Sequence, residues 1–291
     1  MKLYQPSTIK EITKKHDFRF TKSLGQNFLT DRNIVEDIVS ASMVTEDDLV
    51  IEIGPGIGTI TREAASRAKK VIAVEIDRNL IPILEETLSD IENVEVVNAD
   101  ILKTDVNALI SREDFSGKVR IIGNLPYYIT TPIIMKLLED GVRAQSITIM
   151  MQKEVADRIK AAPGSKDYGA LSVSVQFFCS VEDVRKVPRT VFVPRPQVDS
   201  AVLRLDIYEE RPVKTKNTEL FFEVVKAGFG QRRKTLLNSI TGVRGIDKET
   251  AGTAIDNAGI DRTRRAETLS IAEFAVLADE IYEKTGGHDD N

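Results

Sequence analysis

Apolar residues recur along this chain with two spacings, and the spacing changes from one stretch to the next. In "DRNIVEDIVSASM", Ile34, Val35, Ile38 and Val39 fall on one face of a helix. From there strand-like and helix-like stretches alternate. "DLVIEIG" (48–54) predicts a strand that breaks into glycines, and "TITREAASRA" a helix. "KVIAVEID" (70–77) predicts a second strand, and "NLIPILEETLSDI" a second helix with Pro82 in its first turn. "NVEVVNAD" (93–100) and "KVRIIGN" (118–124) predict the third and fourth strands. Thr131-Pro132 predicts a helix start with the threonine as cap and the proline in the first turn. That helix carries Ile133, Ile134, Leu137 and Leu138 and ends near Gly141, before a fifth strand in "QSITIMM" (145–151). Apolar strands alternating with helices predict a parallel sheet covered on both faces.

The later pattern differs. "YGALSVSVQFFCS" (168–180) fits a strand by its alternating Ser and Val, and a helix by its length. "TVFVPRPQVDSAVLRLDI" reads as a loop followed by a strand, and the polar "YEERPVKTKNTE" (208–219) as a linker. Beyond it the periodicity is helical: Leu220, Val224 and Ala227 share a face. Ser270 and Glu273 form a capping box ahead of a stripe of Ile271, Phe274, Leu277 and Ile281. The expected plan is an N-terminal basic extension (1–20), a doubly wound α/β domain (21–207) and a smaller all-helical domain (208–291).

Composition adds little to this until charge is mapped. The chain has 291 residues, 42% hydrophobic and 29% charged, as in a soluble globular protein large enough for two domains. No apolar run approaches the roughly 20 residues that span a bilayer. The N-terminus lacks an apolar signal core. A single cysteine, Cys179, excludes an internal disulfide and a cysteine-based zinc cluster, so no metal is expected and a reducing cytoplasm is the simplest location. The net charge of −5 by itself argues against a polyanionic partner. Its distribution argues the other way. Lys2, Lys10, Lys14, Lys15, Arg19 and Lys22 face only Glu11 and Asp17 in the first thirty residues. Arg185, Lys186, Arg189 and Arg195 lie between Asp183 and Asp199 with no acid among them. Arg232, Arg233 and Lys234 are consecutive, and Arg262, Arg264 and Arg265 cluster later. One such cluster is an ordinary solvated face; four in an acidic chain point toward a polyanion.

"EIGPGIGT" (52–59) follows the first strand and opens a helix, with glycines at Gly54, Gly56 and Gly58. Glycines there allow a sharp turn and close approach of a ligand, although tight packing without a ligand uses them too. The spacing is not the dinucleotide G-x-G-x-x-G, Pro55 offers no amide to a phosphate, and no Gly-Lys-Ser/Thr follows. Glu75 ends the second strand, where this kind of fold places an acid on ribose hydroxyls, and Asp100 ends the third, where a carboxylate accepts from an adenine amino group. Each alone is explained as a turn residue. Together on one sheet edge they suit an adenosine without a pyrophosphate, a description that S-adenosylmethionine meets.

"IIGNLPYYITTP" (121–132) places an amide, a proline and two tyrosines at the end of the fourth strand, on the same edge. The Asn124 side-chain oxygen and a neighbouring backbone carbonyl are suited to accept from an exocyclic amino group. Two acceptors on its hydrogens favour a pyramidal nitrogen with a free lone pair. Pro126 fixes the turn, and Tyr127 offers a ring for base stacking. Tyr128 is expected to pack on the helix 133–140.

These stretches, with "SLGQNFLTD", "VEID", "FVPRPQVDS", "FGQRRKTLLN" and "RRAETLS", resemble the KsgA-type small-subunit ribosomal RNA adenine dimethyltransferases from about residue 20 to residue 280, in family order. The resemblance implies a Rossmann-like S-adenosylmethionine-dependent methyltransferase domain and a helical C-terminal domain. It implies transfer of four methyl groups to two adjacent adenosines in the 3′-terminal hairpin loop of small-subunit rRNA. By motif match, Gln26, Asn27 and Leu29 contact the cofactor. Gly54, in one loop with Gly56, lines its methionine end, Glu75 the ribose and Asp100 the adenine. Asn124, Leu125, Pro126 and Tyr127 are the implied catalytic set, and Phe192 packs near the flipped base. Arg185, Lys186, Arg189 and Arg195 rank first for RNA, then Arg232, Arg233 and Lys234. The implied partner is small-subunit rRNA or an immature small subunit, with the enzyme a monomer. Three other readings compete: a large-subunit dimethylase of the macrolide-resistance type, which commonly has Ile at the Leu125 position and lacks the "RRAETLS" tail; a non-catalytic assembly or RNA-binding factor; and a small-molecule methyltransferase.

Overall fold

The computed structural model describes residues 1–21, 24–231 and 233–286. The chain divides into two compact units: Met1–Ala156 with Ser180–Ile207, and Asp157–Cys179 with Tyr208–Asn291.

In the first unit, α1 (Pro6–Lys15), β1 (Phe28–Leu29) and α2 (Arg32–Ala41) precede β2 (Leu49–Ile53), α3 (Thr59–Ala65), β3 (Lys70–Glu75), α4 (Ile81–Thr87), β4 (Val94–Asn98), α5 (Val106–Ser111), β5 (Val119–Asn124), α6 (Thr130–Glu139) and β6 (Ser146–Gln152). After α7 (Lys153–Ile159) and α8 (Ala170–Phe178) come β7 (Cys179–Val187), β8 (Phe192–Val193) and β9 (Ser200–Ile207). The main sheet runs β4-β3-β2-β5-β6-β9-β7. Its first five strands are parallel, in the register Ile53↔Val74, Ile53↔Gly123 and Asn124↔Met150, and β9 is antiparallel to β6. All five residues of β2 are buried, as expected of a strand covered on both faces. The five predicted parallel strands are all present. The start of α6 differs from expectation. Ile129, not Thr131, holds the cap position without a side-chain cap, and Thr130 instead donates its hydroxyl to the Pro126 carbonyl at 3.0 Å.

Residues 1–20, expected as a separate extension, belong to this unit. Leu3, Ile9 and Ile12 are buried in one cluster with Phe28, Ile57, Leu80 and Ile83. Lys15 and His16 both reach Glu86 of α4, at 2.7 and 2.8 Å. Burial of these apolar residues explains why a mostly polar arm forms an ordered helix.

The second unit contains α9 (Thr218–Gly230), α10 (Leu236–Ile240), α11 (Lys248–Asn257) and α12 (Ile271–Lys284). The capping box of Ser270 and Glu273 is formed. Residues 157–179 join this unit rather than the α/β domain in which the sequence pattern placed them. Their ambiguous segment resolves into α8, followed by β7. The reason is aromatic: Phe177 stacks on Phe221 with centroids 4.6 Å apart, and Tyr168 donates to the Leu269 carbonyl at 2.9 Å. Such pairs add about 0.5–1.5 kcal/mol beyond area burial.

Candidate functional site

Strand order reverses between β2 and β5, and the carboxyl ends of the strands at such a switch point flank a crevice. Here the crevice is lined by the loop after β2 (Gly54, Gly56), by Glu75 and Ile76 after β3, by Asp100 after β4, by Asn124 to Tyr128 after β5, and by the segment from Leu24 to Leu29. Gly56 has φ +61°, and a Cβ there would lie 3.1 Å from the Phe28 ring. Gly123 matters for a different reason: a Cβ on it would meet the Ile53 carbonyl at 2.8 Å. Gly123→Ala is therefore expected to force β2 and β5 apart below the crevice. It should lower the melting temperature by an amount corresponding to about 1–3 kcal/mol, and an unchanged melting temperature would show that the strands yield freely.

Glu75 is buried, and both of its oxygens already accept backbone hydrogen bonds, from Asp77 N at 2.8 Å and Gly56 N at 3.3 Å. Burial nevertheless pushes its carboxyl up to about 7. Glu52, inside β2, is fully buried and pushed up to about 8 by the same cause, with one carboxylate oxygen unpartnered. Asp100 is more open, and its Oδ1 accepts from Leu102 N at 3.0 Å. Apolar walls from Ile57, Val74, Ile76 and Ile101, with a few carboxylates and amides at fixed points, match a flat heteroaromatic group bearing hydroxyl and amino donors. The residues present thus fit the adenosine of S-adenosylmethionine.

At the end of β5, the Asn124 amide nitrogen donates to the Asn27 carbonyl at 2.9 Å. The nitrogen is thereby committed, and the side-chain oxygen is left as an acceptor. Asn27 in turn donates its own amide to the Gly25 carbonyl at 2.8 Å. Leu125 is 1% exposed, and its backbone nitrogen donates to the Met150 carbonyl. Tyr127 is half-buried and lines the crevice. Burial raises its phenol above the usual range, and its Oη lies 2.8 Å from Ser200 Oγ. Tyr128, expected in the core, is 59% exposed and also lines the crevice. The correction has a physical cause: both tyrosines sit in an irregular turn, where neither strand nor helix periodicity assigns a face.

Several other sequence-derived candidates are held by partners of their own. Gln26 lines the crevice, but both ends of its amide are engaged: Nε2 donates to Asp77 at 2.6 Å, and Oε1 accepts from Thr21 N at 2.9 Å. Leu29 and Phe192 are paired across β1 and β8 and buried in one core cluster, so Phe192 backs the wall and does not line the crevice. Arg185 forms an ion pair with Asp37. Arg189 donates to the Gln197 carbonyl at 2.8 Å. Lys186 and Arg195 are exposed, without an ion pair among the described residues. Arg233 and Lys234 of the second unit are likewise exposed, and Arg232 lies outside the described residues, as does Lys22. The last basic cluster is locally neutralised: Arg262 binds Asp256 at 2.8 Å, Arg264 binds Glu273, and Arg265 is 4.0 Å from Glu267. The sequence reading missed Leu24, Phe28 and Ile76 as lining residues. Ile76, 50% exposed directly after the acid of a buried strand, was the one with a readable signal.

Comparison with known proteins agrees with this geometry. The ribosomal RNA small subunit methyltransferase A of Clostridioides difficile (strain 630) is 52% identical over 283 residues, covering 97% of this chain and 98% of that protein. The crystal structure of a dimethyladenosine transferase from Plasmodium falciparum matches with a TM-score of 0.76 at 26% identity, over 89% of this chain and 98% of that one. The 23S rRNA methyltransferase ErmE matches with 0.66 at 30% identity, over 87% and 99%. The sequence model of the ribosomal RNA adenine dimethylase family matches residues 17–283. This chain, an α/β enzyme with a crevice at its switch point, belongs to the ribosomal RNA adenine dimethylase family.

Proposed function

We propose that this chain transfers methyl groups from S-adenosylmethionine to N6 of two adjacent adenosines in the 3′-terminal hairpin loop of small-subunit rRNA, giving N6,N6-dimethyladenosine. The observation that carries the reading is Asn124, whose amide nitrogen is held by Asn27 so that its oxygen is presented as an acceptor at the switch point. S-adenosylmethionine, when bound, supplies an electrophilic methyl and its leaving group. Glu75 accepts from the ribose hydroxyls, Asp100 from the adenine amino group, and Ile76 packs against the ring. The Gly54 and Gly56 backbone leaves room for the methionine end, beside Asn27 and Leu29. Asn124 Oδ1 and the Leu125 carbonyl accept from the target amino group and concentrate its lone pair on nitrogen. Pro126 sets the turn, and Tyr127 stacks on the base, worth about 1–3 kcal/mol. Most of the acceleration is orientation in a preorganised polar setting. An adenosine in a loop reaches such a pocket at less cost than one in a duplex.

The 52% identity to a small-subunit enzyme, against 30% to the 23S enzyme ErmE, favours the small-subunit substrate, as does Leu125. We place the enzyme on the immature small subunit, in the cytoplasm, as a monomer. Among the described residues no helix is long and apolar enough to cross a membrane. The test is transfer of labelled methyl to small subunits lacking the modification, followed by reverse transcription. Dimethylation blocks pairing, so a stop at the two adjacent adenosines of the terminal hairpin is the expected result. A stop confined to large-subunit RNA would overturn the substrate.

Phosphate contacts are assigned to Lys186, Arg189 and Arg195, and in the second unit to Arg233 and Lys234. Arg185 is dropped from the first rank because Asp37 neutralises it. Reversing Lys186, Arg189 and Arg195 together should weaken RNA binding. It should also flatten the dependence of log K on log salt by about 2, at roughly 0.7 per lost contact. An unchanged slope would make this stretch an ordinary solvated face.

A further inference from the structure

We propose that Ser200 is a positioning residue for methyl transfer: its buried hydroxyl anchors the Tyr127 phenol and so sets the ring against the acceptor base. This rests on the reading of Tyr127 as the stacking platform. A phenyl ring stacks as well as a phenol, so stacking itself gives no use for the Tyr127 hydroxyl. The structure supplies one. Tyr127 Oη lies 2.8 Å from Ser200 Oγ, and Ser200 is fully buried. Tyr127 belongs to the turn after β5, where no ladder or helix packing selects among its staggered χ1 rotamers. Ser200 is the first residue of β9 and is paired with Gln152 of β6. Strand β6 is also the neighbour of β5 and pairs Met150 with Asn124. The two side chains that meet the target adenosine are thus referenced to one strand: Asn124 through the β5 ladder, Tyr127 through Ser200.

A second observation ties this anchor to RNA binding. The residue before Ser200 is Asp199, which accepts from Arg189 N at 2.9 Å, while its carbonyl accepts from Lys153 N at 3.0 Å. The basic arm from Arg189 to Asp199 is therefore pinned at the point where the Tyr127 ring is held. A phenol is protonated at neutral pH even when exposed, and burial only raises it further, so the hydroxyl pair persists under assay conditions.

The experiment is a double-mutant cycle on the full chain, using labelled methyl transfer to unmodified small subunits together with the S-adenosylmethionine Kd. Ser200→Ala and Tyr127→Phe are each expected to lower kcat about three- to tenfold, the cost of one hydrogen bond. The double variant should be no slower than either single one, with the cofactor Kd unchanged. Full activity of Ser200→Ala overturns the proposal. So does a loss that multiplies with that of Tyr127→Phe, or one that appears equally in cofactor affinity. Tyr127→Ala separates the two levels. If it retains wild-type transfer, the stacking reading fails and the anchor falls with it. If it loses transfer while Ser200→Ala does not, only the anchor is wrong.

Discussion

Asn124→Ala is expected to reduce methyl transfer by more than about 10³-fold while S-adenosylmethionine still binds. Under the proposed mechanism the loss is large because the acceptor oxygen acts where charge develops, in a preorganised site. The variant removes that oxygen and also the hydrogen bond to the Asn27 carbonyl that aims it. Asn124→Asp sharpens the test. It keeps an acceptor but sets a carboxylate oxygen against the Asn27 carbonyl in place of a donor now at 2.9 Å. Repulsion should turn the side chain away, and this variant should also be inactive. Calorimetric cofactor binding alongside the transfer assay separates chemistry from binding. Full activity in Asn124→Ala would falsify the assignment of the acceptor.

Glu75 gives the second large effect, and its sign is fixed by the raised carboxyl, about 7 in the folded chain against an ordinary 4.5. Below 4.5 both folded and unfolded states hold the proton. Between 4.5 and 7 the unfolded chain ionises first, so stability from this group is lost as pH rises, by ~3 kcal/mol in all. Glu75→Gln should remove that pH dependence of the melting temperature, at the cost of one of the two backbone hydrogen bonds from Asp77 N and Gly56 N, since its amide nitrogen cannot accept. Cofactor binding runs the opposite way. The ionised carboxylate accepts hydroxyl hydrogen bonds more strongly and complements a cationic sulfonium, so affinity should rise through pH 7 and level off above it. Glu75→Gln should bind about 10- to 100-fold more weakly at pH 8, with little pH dependence, since hydrogen bonds to a charged group are worth about 1.5–3 kcal/mol. Kd measured from pH 5.5 to 8.5 checks both. A wild-type Kd in Glu75→Gln would remove Glu75 from the cofactor site.

Much of this site was legible because its parts are local. Gly54, Glu75, Asp100 and Asn124 each end or follow a strand that three or four apolar residues announce, and a parallel sheet brings successive carboxyl ends to one edge. Spacing along the chain is enough to place such residues together. Tyr128 was misplaced because periodicity stops where the strand stops. Phe192 is buried behind the crevice wall because its neighbour is Leu29, and Arg185 shares its charge with Asp37. Both partners lie far away in sequence, and no local pattern encodes them. The same holds for α1, whose apolar residues are too few to signal a core until Ile57, Leu80 and Ile83 meet them. It holds too for residues 157–179, drawn to the helical unit by Phe221 and Leu269. The sequence by itself determined the alternation of strands and helices, the residues gathered at the switch point and the family. Only the tertiary structure decided which rings face the crevice, which arginines remain unpaired and where the units divide, because these depend on contacts between segments whose separation along the chain carries no periodic signal.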